Sequence, residues 1–210
     1  MMMLNNHIHA GCLFVAMWLV FLPLPVAAIT LVEQVDIFSP DVLSAPTTDQ
    51  TLYGTLQDFP HTFSFVVSTE TPVRYTLATR SDGEPVSLLL VKEARRGVDE
   101  VVRQNGQAVN WEATRDRRLG LALQAAPALT ATLQPGRYRL EVSNPLNQGQ
   151  YQLAIGEGSG GGYWASVRDT FVVHNFYGHW ASALFTTRVL VLWSIVLLCG
   201  YLVYRLLRRV

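Results

Sequence analysis

The chain has 210 residues, half of them hydrophobic, with 16 basic and 16 acidic side chains that cancel at pH 7. Its two cysteines, Cys12 and Cys199, fall in apolar runs near opposite ends, so the stretch between them can form no intramolecular disulfide and no cysteine-ligated zinc site. Setting aside Arg188, Arg205, Arg208 and Arg209, which flank the second run, leaves twelve basic against sixteen acidic residues, and that acidic balance argues against nucleic acid as a partner.

At the start of the chain, an apolar run from Cys12 to Leu22 is followed by the helix breakers Pro23 and Pro25 and by Val26-Ala27-Ala28. Small residues three and one positions before Ile29 give the layout of a secretory signal, expected to span residues 1–28 with cleavage after Ala28. Met1 to Gly11 holds no Lys or Arg, so an uncleaved amino-terminal anchor is the alternative; either way the middle of the chain is exported. Residues 29–50 read as an amino-terminal extension.

From Leu52 to Ile155 short β-rich runs alternate with turn residues. Thr62 to Val67 and Val73 to Leu77 both alternate polar and apolar side chains, and the Thr69-Glu70-Thr71-Pro72 turn between them predicts a hairpin. Val86 to Val91 is nearly continuously apolar, which suits a strand covered on both faces. Trp111 falls in a further predicted strand, Ala108 to Thr114, after the turn signal Gln104-Asn105-Gly106. Tyr138 to Val142 and Tyr151 to Ile155, separated by a turn from Asn144 to Gly149, close the unit. About eight strands at this spacing predict an all-β, antiparallel, jelly-roll-like β-sandwich over residues 51–156.

The closing residues Leu133-Gln134-Pro135-Gly136-Arg137-Tyr138-Arg139-Leu140-Glu141-Val142 with Gly149-Gln150-Tyr151-Gln152-Leu153, and the opening Tyr53-Gly54-Thr55-Leu56 with Phe63 to Val67, resemble the two ends of bacterial pre-peptidase C-terminal (PPC) domains. The resemblance covers about half the chain. It implies a small exported β-sandwich and no catalytic step. Many relatives place acidic residues around the central strand, near a calcium site, whereas Glu84 is the one carboxylate in Glu84 to Leu89 here, so no bound calcium is expected.

Beyond the sandwich, the glycine-rich 157–162 predicts a flexible linker. Residues 163–186 read as an aromatic juxtamembrane helix: Trp164, Val167 and Phe171 fall at helical spacing, and amphipathic rings favour the lipid head-group layer. Residues 187–207 carry only Arg188 and Arg205 as charges and are long enough, at ~1.5 Å per residue, to cross a hydrocarbon core of roughly 30 Å as a transmembrane helix. The arginines after the run predict a cytoplasmic tail at 208–210, by the positive-inside rule.

Candidate sites are few. The aromatics Trp164, Phe171, Phe176, Tyr177 and Trp180 are candidate contacts with membrane lipid or with a membrane protein partner. His174 and His179 are five residues apart, about 140° around a helix, so one helical face does not offer both to a metal or haem. His61, with no serine motif or carboxylate pair to use it, reads as a surface residue. Arg95-Arg96 and Arg115 to Arg118 are mixed with acidic neighbours and read as solvated loop faces. Ser194 and Gly200 in the apolar run make no G-x-x-x-G pattern. No residue set calls for a cofactor or metal, and none announces an enzyme. The sequence therefore predicts a single-pass membrane protein whose extracytoplasmic sandwich is a binding or interaction module, with an accessory subunit of a larger membrane complex as the alternative.

Overall fold

A computed structural model describes residues 29–34, 36, 38–43, 49–116, 121–156 and 163–208; the expected signal segment and the glycine linker lie outside the described residues. In chain order the strands are β1 (Ile29–Val32), β2 (Asp41–Val42), β3 (Gln50–Gln57), β4 (His61–Val67), β5 (Thr71–Arg80), β6 (Ser87–Ala94), β7 (Gly97–Gln104), β8 (Glu112–Asp116), β9 (Leu121–Ala125), β10 (Leu129–Leu133), β11 (Gly136–Ser143) and β12 (Gln148–Ile155). After them come three helices, α1 (Tyr163–Phe176), α2 (Trp180–Ala183) and α3 (Thr187–Leu207).

The strands form two sheets. The first runs β1-β3-β12-β5-β9-β8, with β10 also paired to β5, and the second runs β2-β4-β11-β6-β7. Apolar side chains at every second position face inward from each, as the period of two dictates. Register lines them into rows: Phe63, Leu140 and Leu90 lie abreast in the second sheet, and Leu52, Leu153 and Leu77 in the first. All six are essentially inaccessible to solvent. Each such side chain contributes about 2 kcal/mol of transfer free energy, so the two central rows alone outweigh any surface ion pair.

Four expectations are corrected. β4 and β5 do not form a hairpin: β4 pairs with β11 and β2, while β5 pairs with β12, β9 and β10 in the other sheet. The turn between them crosses the sandwich, which sets their apolar faces (Phe63, Phe65 and Val67; Val73, Tyr75 and Leu77) toward one common core. A hairpin would have set both apolar faces side by side on one sheet, where neither could cover the other. The strand around Trp111 starts at Glu112, and residues before it form a turn in which Gly106 N–H donates to Ser87 Oγ at 3.0 Å. A Cβ at Gly106 would strike the Val86 carbonyl, so the close approach of two backbones selects glycine there. Third, the expected extension at 29–50 supplies strands to the sandwich: β1 adds to β3 and β2 to β4, both in parallel, extending one edge of each sheet.

The run Val86 to Val91 supplies β6, which lies between β11 and β7. Val86, Leu88 and Leu90 are buried, Leu89 is half-covered, and a bulge between Leu90 and Val91 brings Val91 into cover as well. His61 is also corrected. It is buried at the start of β4, with its Nδ1 2.8 Å from the Tyr151 hydroxyl, and loss of solvation pushes its pKa below the ordinary histidine value. Tyr151 lies across Gly54, where an added Cβ would sit 2.5 Å from the ring; the missing side chain is what lets the ring lie flat on β3.

The bounds of α3 coincide with the apolar run at 187–207, and Thr187–Arg205 is long and apolar enough to cross a membrane. Its large side chains, among them Trp193, Ile195, Leu197 and Leu198, are exposed.

Candidate functional site: the helix-covered face of the first sheet

The outer face of the first sheet is not left to water. Tyr53 of β3 and Ala78 of β5 flank Gln152 of β12 in register, and Leu123 of β9 and Gln150 of β12 extend the same face. Tyr53, Ala78 and Leu123 are apolar or aromatic where an exposed strand face would be polar. Helix α1 covers them. Val173 and Tyr177 are buried in one cluster with these three, and Phe176 packs beside them.

The contact has a defined geometry. The Tyr53 ring meets the edges of Phe176 and Tyr177, with centroids 5.7 and 6.2 Å away, and Phe176 and Tyr177 meet each other at 4.9 Å. Such edge-to-face pairs contribute about 0.5 to 1.5 kcal/mol each beyond area burial. Gln150 Nε2 donates to the Phe176 carbonyl at 2.7 Å, capping the end of α1 from the sheet. At that end Gly178 takes φ +75, Gly178 N–H donates to the Asn175 carbonyl, and His179 N–H to the His174 carbonyl. This is a Schellman closure, and it stops the helix and reverses the chain.

The seam also holds polar groups. Asp169 is buried, paired with Arg168 at 3.2 Å. Desolvation raises its pKa, and the positive charges of Arg168 and Arg188 oppose that shift. His174 is buried, its Nδ1 donating to the Thr170 carbonyl at 2.9 Å within α1. Desolvation pushes the Tyr53 and Tyr177 hydroxyls far above the ordinary phenol value, with nearby Asp116 adding to both. Tyr177 Oη and Gln152 Oε1 are buried with no hydrogen-bond partner. An unsatisfied buried polar atom costs about 1 to 3 kcal/mol, and the sandwich core carries one as well, Tyr75 Oη, so what sets the seam apart is its much smaller apolar cluster.

The structure thus separates the five aromatics expected to meet a partner. Phe176 and Tyr177 are committed to the sandwich, Phe171 is half-buried, and Trp180 is 62% exposed. Trp164 lies in α1, and its side chain is outside the described residues. Phe185, 76% exposed, was not singled out from the sequence, although a large apolar residue two positions before Thr187 is a signal of the same kind as Trp180. Tyr53 was also missed as part of this site; adjacent apolar residues Leu52-Tyr53 in an alternating strand mark a face that needs a cover on each side. His174 and His179 are not brought to a shared site, and among the described residues no three His, Cys, Asp or Glu side chains gather to hold a metal ion. Arg95 and Arg96 lie exposed at the β6–β7 turn, Arg115 is exposed on β8, and Arg117 and Arg118 lie outside the described residues.

Two layers of antiparallel strands with parallel additions at one edge define a β-sandwich, carrying a helix on one outer face. No protein-family model and no curated protein matches the sequence. Among solved structures the chain is similar to the pre-peptidase C-terminal domain of a collagenase from Bacillus anthracis, at 13% identity over 61% of this chain and 95% of that one, with a TM-score of 0.35. It is also similar to CorA, a surface-associated copper-binding protein of Methylomicrobium album BG8, at 8% identity over 62% of this chain and 98% of that one, with a TM-score of 0.30.

Proposed function

We propose that the protein is a single-pass, membrane-anchored binding module, with its β-sandwich on the extracytoplasmic side, its carboxyl terminus in the cytoplasm, and no chemical step of its own. The observation that carries this reading is α3, a 21-residue helix whose Leu190, Trp193, Ile195, Leu197, Leu198 and Tyr201 all stay exposed. A contiguous apolar surface of that size is costly in water and needs lipid or protein around it. Arg205, Arg208 and Arg209 after the span support the orientation. An accessory-subunit role would draw on Phe171, Trp180 and the exposed faces of α3, because Phe176 and Tyr177 face the sandwich.

The test is protease accessibility in intact and opened cells, after alkaline carbonate extraction of the membranes. Retention in the pellet, with the sandwich digested from the outer side, is the expected result. Release by carbonate, or protection of the sandwich, overturns the reading.

A further inference from the structure

We infer that the sandwich and the span form one stiff unit that seats the turn from Gly178 to Thr186 in the lipid head-group layer, with Trp180 and Phe185 as its lipid-facing side chains. The inference rests on the membrane-anchored reading and adds where the sandwich stands relative to the bilayer.

A glycine linker before the aromatic segment suggests a sandwich hanging on a stalk. The packing makes a different mechanical circuit. Since α1 packs on the sheet through Val173 and is followed there by Phe176 and Tyr177, the load between the sandwich and the membrane does not run through the chain that precedes α1. The load runs instead through Tyr177 and the Gly178 closure. That path is short and hydrogen-bonded at each step: Ser182 Oγ donates to the His179 carbonyl at 2.6 Å, Thr186 Oγ1 to the Ala183 carbonyl at 2.8 Å, and Leu190 N–H to the Thr186 carbonyl at 2.9 Å. Ala183 and Val189 are buried at 0% and 2% exposure, and both α2 and α3 contact α1, so the first turn of the span leans on the docked helix. Arg188, at that first turn, adds its charge near the buried Asp169.

On this largely exposed segment, in which Ala183 is the buried residue, the two large aromatics Trp180 and Phe185 face outward immediately before the apolar helix. Their position at the mouth of a span and their ring chemistry fit the interfacial layer, where tryptophan is enriched. A protein partner in the same place would need its own pocket for both rings, and among the described residues no cluster of charged side chains lies between them to fix such a partner. Lipid needs only the depth.

The experiment uses the full chain in phosphatidylcholine nanodiscs, with Cys12→Ala throughout. A bimane label on Cys199 reports insertion by quenching with a doxyl group deep in the acyl chain. In a Cys199→Ala background, a label at Phe185→Cys reports depth against a head-group quencher, and a donor at Ser81→Cys transfers energy to an acceptor lipid. Expected are deep quenching at Cys199, head-group quenching at residue 185, and a Ser81 transfer efficiency that does not change when ten Gly/Ser residues are added within 157–162. Val173→Asp, which unlatches α1, is expected to lower that efficiency and to restore its dependence on linker length, since a free coil of n residues spans roughly 5–6 Å × √n. Insertion with a Ser81 efficiency that falls on linker extension alone, or with residue 185 in bulk water, overturns the inference and leaves the anchor intact. An unquenched Cys199 overturns the anchor and the inference with it.

Discussion

The first sheet has two covered faces, and they are built from different chemistry. Its inner face meets the second sheet through Leu52, Leu77, Leu153 and Ile155, in a large apolar cluster that also takes in Tyr75, whose hydroxyl is unpaired, and Tyr151, whose hydroxyl meets His61. Its outer face meets α1 through only three anchors, Tyr53, Ala78 and Leu123, with Gln150, Gln152, Tyr177 and Asp169 interleaved. The difference separates two tasks. The inner face holds the fold, while the outer face joins the fold to the carboxyl-terminal helices and can be opened at far smaller cost.

The sharpest break of the inner face is Leu153→Ala, at the centre of the first sheet. Losing the side chain and leaving a cavity is expected to cost about 3 to 5 kcal/mol, read as a fall in the chemical-denaturation midpoint of the whole sandwich. Gly54→Ala comes next: a methyl 2.5 Å from Tyr151 forces the ring off β3 and strains its hydrogen bond to His61, for about 1 to 3 kcal/mol in the same assay. Trp111→Ala tests the rim of the inner core. The indole is half-buried and donates to the Gly106 carbonyl at 2.8 Å, so about 1 to 2 kcal/mol is expected, less than for a fully enclosed tryptophan. Val173→Ala, by contrast, should leave the sandwich midpoint within about 0.5 kcal/mol while hydrogen exchange of the α1 amides accelerates at least several-fold. If both change together, the two faces are one cooperative unit and the comparison fails.

Acidity acts on the two faces in opposite senses. His61, inside the sandwich, has a folded pKa below its unfolded value; stability is complete above roughly pH 6.5 and falls as pH drops through that value toward the folded one. Asp169, in the seam, has a folded pKa above its unfolded value, so its contribution is complete below roughly pH 4 and is lost as pH rises through the folded value. Denaturation midpoints of His61→Gln should therefore lose part of the decline that sets in below about pH 6.5, whereas Asp169→Asn should flatten the pH dependence of α1 exchange and leave the sandwich curve alone. A slope unchanged in either variant assigns the titration to other groups.

Much of the sandwich was legible because period-two alternation states which side chains point inward. Tyr138 to Val142 and Tyr151 to Ile155 are strands in the stated places, and α3 is bounded where its composition changes. Alternation does not state which strand lies beside which. The short turn after Val67 is compatible with a hairpin or with a crossing between sheets, and only the burial of both faces against one core decides it. His61 was misread for a related reason: nothing local shows that Tyr151, 90 residues away, closes over it. The docking of α1 was hidden because its apolar side chains suit a lipid surface and a sheet face equally well; the deciding clue was Tyr53, on a strand more than a hundred residues earlier.

The order of strands in the two sheets sets a timetable. β11 is the middle strand of the second sheet, and β12 lies between β3 and β5 in the first, yet they are the last two strands of the sandwich to be made. Until β11 is complete at Ser143, β4 has no bridge to β6, and until β12 is complete at Ile155, β3 and β5 have none between them. Pairings across about a hundred residues are slow to form because loop closure is unfavourable until the contacts that reward it exist. Neither sheet can close from its amino-terminal strands alone, so a chain emerging strand by strand stays open to the quality-control machinery around it until nearly three quarters of its length has appeared.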